Sequence, residues 1–207
     1  LTDIGESAFE HTPLEKLGGL SSLKTIGRNA FLDTKLEQLG DMKALTDIGE
    51  SAFEHTPLEK LGNLSSLKTI GRNAFLGTPL TQLGNLSSLK TIGDFAFSWT
   101  QIKQLGDMRN LTTIGENAFF GTPLKIVHLP NTLKNVEEHA FKNCPLGHLT
   151  VQPGINFECT CVTLANRLKQ LDGISVTEQP NILTLANRLK QLDGIITGGP
   201  SFIIQTT

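Results

Sequence analysis

The stretch LKTIGRNAFLDTKL, residues 23–36, decides the fold because it recurs. Its Ala-Phe pair returns at Phe9, Phe31, Phe53, Phe75, Phe97, Phe119 and Phe141, each 22 residues after the last. The preceding isoleucine keeps the same step at Ile4, Ile26, Ile48, Ile70, Ile92 and Ile114, and Val136 continues it. Glycine follows each isoleucine, from Gly5 to Gly115, until Glu137. Two more apolar columns run from Leu14 to Leu146 and from Leu17 to Leu149. A longer period lies over this one. Residues 1–39 match residues 45–83 except at Gly19/Asn63, Asp33/Gly77, Lys35/Pro79 and Glu37/Thr81.

A repeat of 22 residues cannot bury its own apolar face, but stacked repeats share a continuous core. Equivalent side chains then lie above one another as ladders. Apolar pairs such as Leu14 with Leu17 and Leu23 with Ile26 are too short for long helices, and Pro13, Gly18 and Gly27 interrupt them. Each repeat therefore reads as one coil of a solenoid with parallel strand stacking, at about 4.8 Å per rung. The Leu14–Leu17 segment is expected to be its strand. Ala-Phe is expected on a short turn or a single helical turn, with phenylalanine filling the core. Burial of each such ring contributes about 1.5–3 kcal/mol.

Composition excludes several functions. The 207 residues hold 18 Lys and Arg against 20 Asp and Glu, a formal charge of −2. No global basic field exists to draw nucleic acid. Apolar runs are too short to span a membrane, and Leu1 does not open a secretory leader. Three cysteines do not make a disulfide scaffold. The chain starts inside a repeat, so either it is part of a longer protein or Leu1 is covered by something else.

The pattern L-x-x-I-G-x-x-A-F-x-x-T/C-x-L resembles the BspA-like leucine-rich repeats, most closely over residues 124–145, LKIVHLPNTLKNVEEHAFKNCP. The resemblance covers residues 1–151. It implies an α/β repeat fold: a curved, right-handed leucine-rich solenoid with parallel β stacking and short helical turns. It also implies an extracellular or cell-surface location and a link to adhesion. Two departures stand out. The strand segments before Leu124 are shorter than the family's, and threonine (Thr12 to Thr122) occupies the position where the family often has cysteine, kept here at Cys144.

Residues 152–207 read as a small α/β cap. TLANRLKQLDGI occurs twice, at 163–174 and 184–195, with Thr163 and Thr184 as helix N-caps. Leu164, Leu168 and Leu171 fall on one helical face, and Gly173 stops the helix. An open solenoid end needs such a cover. The tail Ile203-Ile204-Gln205 offers an edge for pairing with a second copy.

No catalytic constellation emerges. Cys159 and Cys161 lack the spacing of a zinc site, and either could reach Cys144 to form a disulfide. A cysteine-dependent activity in the C-terminal segment is the weakest alternative. His11 and His55 are copies of one surface position, taken by Asp33, Gly77 and Trp99 elsewhere, and duplicated histidines lack the unique surroundings that tune a catalytic group. Catalytic residues, metal ligands and cofactors are therefore all expected to be none. Asn63-Leu-Ser65, Asn85-Leu-Ser87 and Asn110-Leu-Thr112 match the glycosylation acceptor pattern, which matters only in a eukaryotic secretory pathway.

Glu6, Arg28, Glu50 and Arg72 alternate in sign down one column, which predicts ion pairs between rungs. The variable columns carry the functional expectation. Glu15, Lys16, Glu37, Gln38, Glu59, Lys60, Gln82, Lys103, Gln104, Lys125 and Ile126 project between the buried leucines. Such a regular polar array suits a broad protein or glycan partner, host matrix included, better than a small molecule. Phe95 and Trp99 replace small or polar residues on the turns and form a second candidate contact. The expected function is a non-enzymatic binding module. A spacer that presents another domain is the alternative.

Overall fold

The structure is a computed structural model that describes residues 1–137 and 139–146, together with the backbone of two strands at 148–150 and 156–157. Rungs are numbered from residue 1, so rung one is 1–22, rung four is 67–88 and rung seven is 133–154. Ten short strands occur in chain order: β1 Asp3–Ile4, β2 Thr25–Ile26, β3 Asp47–Ile48, β4 Thr69–Ile70, β5 Thr91–Ile92, β6 Thr113–Ile114, β7 Ile126–His128, β8 Asn135–Val136, β9 His148–Thr150 and β10 Asn156–Phe157.

Eight of them form one parallel sheet in the order β1-β2-β3-β4-β5-β6-β8-β10. Every pairing from β1 to β8 joins residues 22 apart, as Ile4 with Ile26 and Ile26 with Ile48. The local reason is a β-branched residue at each inward position, with threonine or a short polar residue pointing outward. The isoleucines are buried and their partners exposed or half-buried. β7 and β9 pair separately.

This corrects the expected strand position. The long sheet lies at the Thr25–Ile26 segment. The Leu14–Leu17 segment makes only single parallel bridges, Lys16 with Gln38, Gln38 with Lys60 and Lys60 with Gln82, until it lengthens into β7. Thr and Ile extend readily, whereas Glu-Lys between leucines, followed by Gly18 and Gly19, carries little strand preference.

The phenylalanines stack as one column from Phe9 to Phe141. Ring centroids are 5.2–5.4 Å apart and planes lie within 1–10° of parallel. Spacing slightly above the strand separation fits offset stacking. Phe31, Phe53, Phe75, Phe97 and Phe119 are wholly buried, as are the alanines before them. Beside each ring a threonine hydroxyl donates to the carbonyl of the phenylalanine three residues earlier, at 2.8–3.0 Å from Thr34 to Thr122. A buried hydroxyl is thereby satisfied within its own turn. Cys144 continues this column in the core: its Sγ lies 3.1 Å from Thr122 Oγ1 and 3.1 Å from the Phe119 carbonyl oxygen.

No helix is present among the described residues, which corrects the expected short helical turns. The Ala-Phe segment takes the other expected form, a chain of tight turns. Phe31 N–H donates to Ala52 O in the next rung at 2.9 Å, while Leu32 N–H closes back on Asn29 O at 3.1 Å. Alternate amides thus leave the turn for the neighbouring rung, so a helical ladder cannot propagate. Left-handed residues enforce this. Asn29 has φ 53° and Asp33 φ 54°, and the equivalent residues of the other rungs share these values closely. A right-handed helix cannot pass through either position.

The glycine after each isoleucine has a different reason. A Cβ on Gly49, Gly71 or Gly93 would lie 2.7 Å from the backbone carbonyl carbon of the rung before it. The rungs touch here through their main chains. Of the expected cap only the backbone of β10 is described, and it pairs with β8 as the last strand of the long sheet; the repeated segments at 163–174 and 184–195, the pairing of Cys159 or Cys161, and the Ile203–Gln205 edge lie outside the described residues.

Candidate recognition surfaces

Two segments of each rung carry the variable side chains. The first lies between the leucine columns. Leu36, Leu58, Leu80 and Leu124 are wholly buried, as is Ile102, and they anchor one side. Leu39, Leu61 and Leu83 anchor the other. Between them the chain can only project outward. Glu15, Lys16, Glu37, Gln38, Glu59, Lys60, Gln82, Lys103, Gln104, Lys125 and Ile126 are all exposed. The bridges through Lys16, Gln38, Lys60 and Gln82, and from Gln104 to Ile126, hold them in register one rung apart. Ile126 is 45% exposed, an uncovered apolar group at the end of the row.

The second is the turn segment. Two of its columns are left-handed: one through Ser7, Asn29, Ser51, Asn73, Phe95, Asn117 and His139, the other through His11, Asp33, His55, Gly77, Trp99, Gly121 and Asn143. Sequence reasoning missed this conformation. A partial signal was present, since residues that tolerate it fill three of seven places in the first column (Asn29, Asn73, Asn117) and four of seven in the second (Asp33, Gly77, Gly121, Asn143). Phe95 at φ 55° and Trp99 at φ 60° are therefore exceptional. A bulky side chain in this region costs about 1–2 kcal/mol.

Trp99 is 58% exposed. A Cβ added to Gly121 would meet the Trp99 ring at 2.9 Å, so the indole rests on that glycine. Phe120 braces it edge-on, with centroids 5.2 Å apart at 74°. Arg72 lies over the Phe95 ring at 5.7 Å and Lys142 over the Phe120 ring at 6.0 Å.

Earlier on the same turns, Asp33 sits between His11 and His55, each Nδ1 lying 3.5 Å from one carboxylate oxygen. This ladder contrasts with the predicted charge column. Among the described residues no ion pair joins Glu6, Arg28, Glu50 or Arg72. Their long, solvated side chains gain too little in water to be held together, and Arg72 lies against a ring instead. Two further pairs join near neighbours in the chain, His11 Nε2 with Glu10 Oε1 at 3.7 Å and Arg109 with Asp107, two residues apart. The hydrogen bonds from that guanidinium hold the Asp107 carboxyl below the usual carboxylate range.

Asp107 and Arg109 line an open polar depression with Asn85, Ser87 and Asn110. Asn85 Oδ1 accepts from Ser87 N–H at 3.1 Å and Asn110 Nδ2 donates to Ser87 O at 2.7 Å, so these side chains already shape the loop edge. Among the described residues, no group of three or more His, Cys, Asp or Glu is placed to hold a metal ion. No helix there is long and apolar enough to cross a membrane.

A family model described as BspA type leucine rich repeat region matches six copies, over residues 2–124 and 90–171. Comparison with curated proteins gave no match. A solved structure of a leucine-rich repeat protein from Bacteroides ovatus ATCC 8483 is similar at 21% identity, with a TM-score of 0.49 over 76% of this chain. The chain spans 54% of that protein's length. With repeats matched over most of its length, and with those repeats stacked as the phenylalanine ladder requires, the chain belongs to the BspA-type leucine-rich repeat family.

Proposed function

We propose that the chain is a non-enzymatic binding module of a secreted or cell-surface protein, and that it engages a protein partner through the exposed row between its leucine columns. Repeats of this family serve in general as protein interaction scaffolds. The observation that carries the reading is the bridged row from Lys16 through Gln82, continued from Gln104 to Ile126. Its side chains are exposed while the main chain beneath them is pinned by buried leucines. Ordering such a row on binding costs little entropy, because the backbone is already fixed. Its polar groups lie flat rather than around a cavity, which suits an extended partner.

The test uses immobilised protein with collagen and laminin as probes. The wild type is expected to retain at least one of them. The variant Lys16→Glu/Lys60→Glu/Lys103→Glu is expected to lose that retention while keeping its thermal transition. Equal retention by variant and wild type, or none by either, overturns the reading. A spacer role is favoured by a different observation, the unbroken phenylalanine stack through seven rungs, which stiffens the rod. It predicts that the row can be changed wholesale without loss of activity in the parent protein.

A further inference from the structure

We propose that the far end of the row takes an acidic segment of the partner protein and seats one of its apolar side chains in a pocket between rungs five and six. This rests on the row being a protein-binding surface and names the class of segment it selects.

The pocket lies where a core column breaks. Leu20, Met42, Leu64, Leu86 and Met108 recur every 22 residues, and the last four are buried. The next place in that column holds Pro130, which is only half-buried. Leu129, one residue earlier, turns inward and is 4% exposed, where the other rungs carry Gly19, Asp41, Asn63, Asn85 and Asp107. A short ring thus stands where longer side chains filled the step. Beside it a cavity of about 250 Å3 opens, walled by Leu105, Met108, Leu111, Leu129 and Pro130. Sites for drug-sized ligands run to roughly 300–1,000 Å3. This smaller cavity suits one apolar side chain of a larger partner.

The pocket is continuous with the row. Leu105 directly follows Lys103 and Gln104, and Leu129 lies three residues beyond Ile126. The bridge from Gln104 to Ile126 holds the two stretches side by side. Ile126 is exposed in a column that otherwise carries Lys16, Gln38, Lys60, Gln82 and Gln104, so the surface leading to the pocket is itself apolar.

The charges select an acidic segment. The acids of the row, Glu15, Glu37 and Glu59, end at rung three. Rung four carries Thr81 and Gln82, and rungs five and six carry Lys103 and Lys125. Both lysines are exposed, and among the described residues neither has a carboxylate within ion-pair distance. Asp107 alone is acidic among the residues lining the pocket. A guanidinium meets it: Arg109 Nε donates to both its oxygens, at 3.1 and 3.0 Å. That pair carries no net charge, so the two lysines set the sign of the field at this end. One rung separates them, about 4.8 Å, a spacing that carboxylates along an extended segment can meet.

Fluorescein-labelled peptides EEFEE, EESEE and KKFKK, read by anisotropy on the wild-type chain, test the apolar and the charged parts separately. EEFEE is expected to bind about tenfold more tightly than EESEE, with binding that weakens as salt rises, and KKFKK is expected not to bind. Lys103→Gln with Lys125→Gln is expected to weaken both acidic peptides alike and to flatten the salt dependence. Leu105→Ser, at a half-buried place, is expected to bring EEFEE down to the level of EESEE and leave EESEE unchanged. No binding of EEFEE, equal binding of EEFEE and EESEE, or tighter binding of KKFKK overturns the proposal. So does unchanged binding of EEFEE by either variant, and the wild-type series decides even where a variant loses its thermal transition. Each of these failures leaves the row as a protein surface, because collagen and laminin retention by the wild type and its loss in the triple lysine variant are read separately.

Discussion

The phenylalanine column and the Glu6–Arg28–Glu50–Arg72 column lie on the same turns with the same period, yet they behave differently. One is a continuous stack with centroids 5.2–5.4 Å apart. The other makes no ion pair among the described residues. The difference lies in solvent. Buried rings have one place to go, and dispersion with neighbours above and below fixes them. Exposed charges lose rotamer entropy on pairing and gain little Coulomb energy in water. Regular spacing dictates contact only where side chains are out of water.

The largest effect should come from breaking the buried column in its middle. Phe75→Ala is expected to lower stability by about 3–5 kcal/mol, measured by denaturant unfolding. A loss below about 1 kcal/mol would mean the stack does not carry the fold. Next comes main-chain contact between rungs. Gly71→Ala is expected to cost roughly 1–3 kcal/mol. Gly5→Ala, with nothing within 4 Å of its Cβ, should stay within about 0.5 kcal/mol. Equal effects would show that the clash is relieved by a small shift. A smaller change, of opposite sign, is expected from Trp99→Gly: a gain of roughly 0.5–1 kcal/mol from relief of the left-handed strain. The smallest is in the charged column. A double-mutant cycle between Glu50 and Arg72 should give coupling below about 0.5 kcal/mol. The cycle between Arg72 and Phe95 should give about 0.5–1 kcal/mol.

Much of the fold was legible because a 22-residue period leaves few alternatives. The columns of Phe9, Ile4 and Leu14 could be read directly, and the Lys16 row followed from lying between buried leucines. What escaped depended on backbone conformation. The Ala-Phe segment has the length of one helical turn, and only the Asn, Asp and Gly residues in the columns beside it show that the chain turns left-handed there. The strand position also escaped, because the leucine spacing at Leu14–Leu17 outweighed the plainer β-branched signal at Thr25–Ile26. The prominence of Trp99 was visible as an odd residue in its column. Its support from Gly121, Phe120 and Lys142 was not, since these come from the next two rungs and only stacking brings them together.

The inter-rung hydrogen bonds of the turns have one further consequence. Phe9 donates to Ala30, Phe31 to Ala52 and so on to Phe119 and Ala140, and the columns through Ser7 and His11 run in the same sense. Strand dipoles in a sheet largely alternate and cancel. These peptide units instead point head to tail, as they do along a helix axis. Their fields add along the described turn edge, with carbonyl oxygens facing the lower-numbered neighbour and amides facing the higher-numbered one.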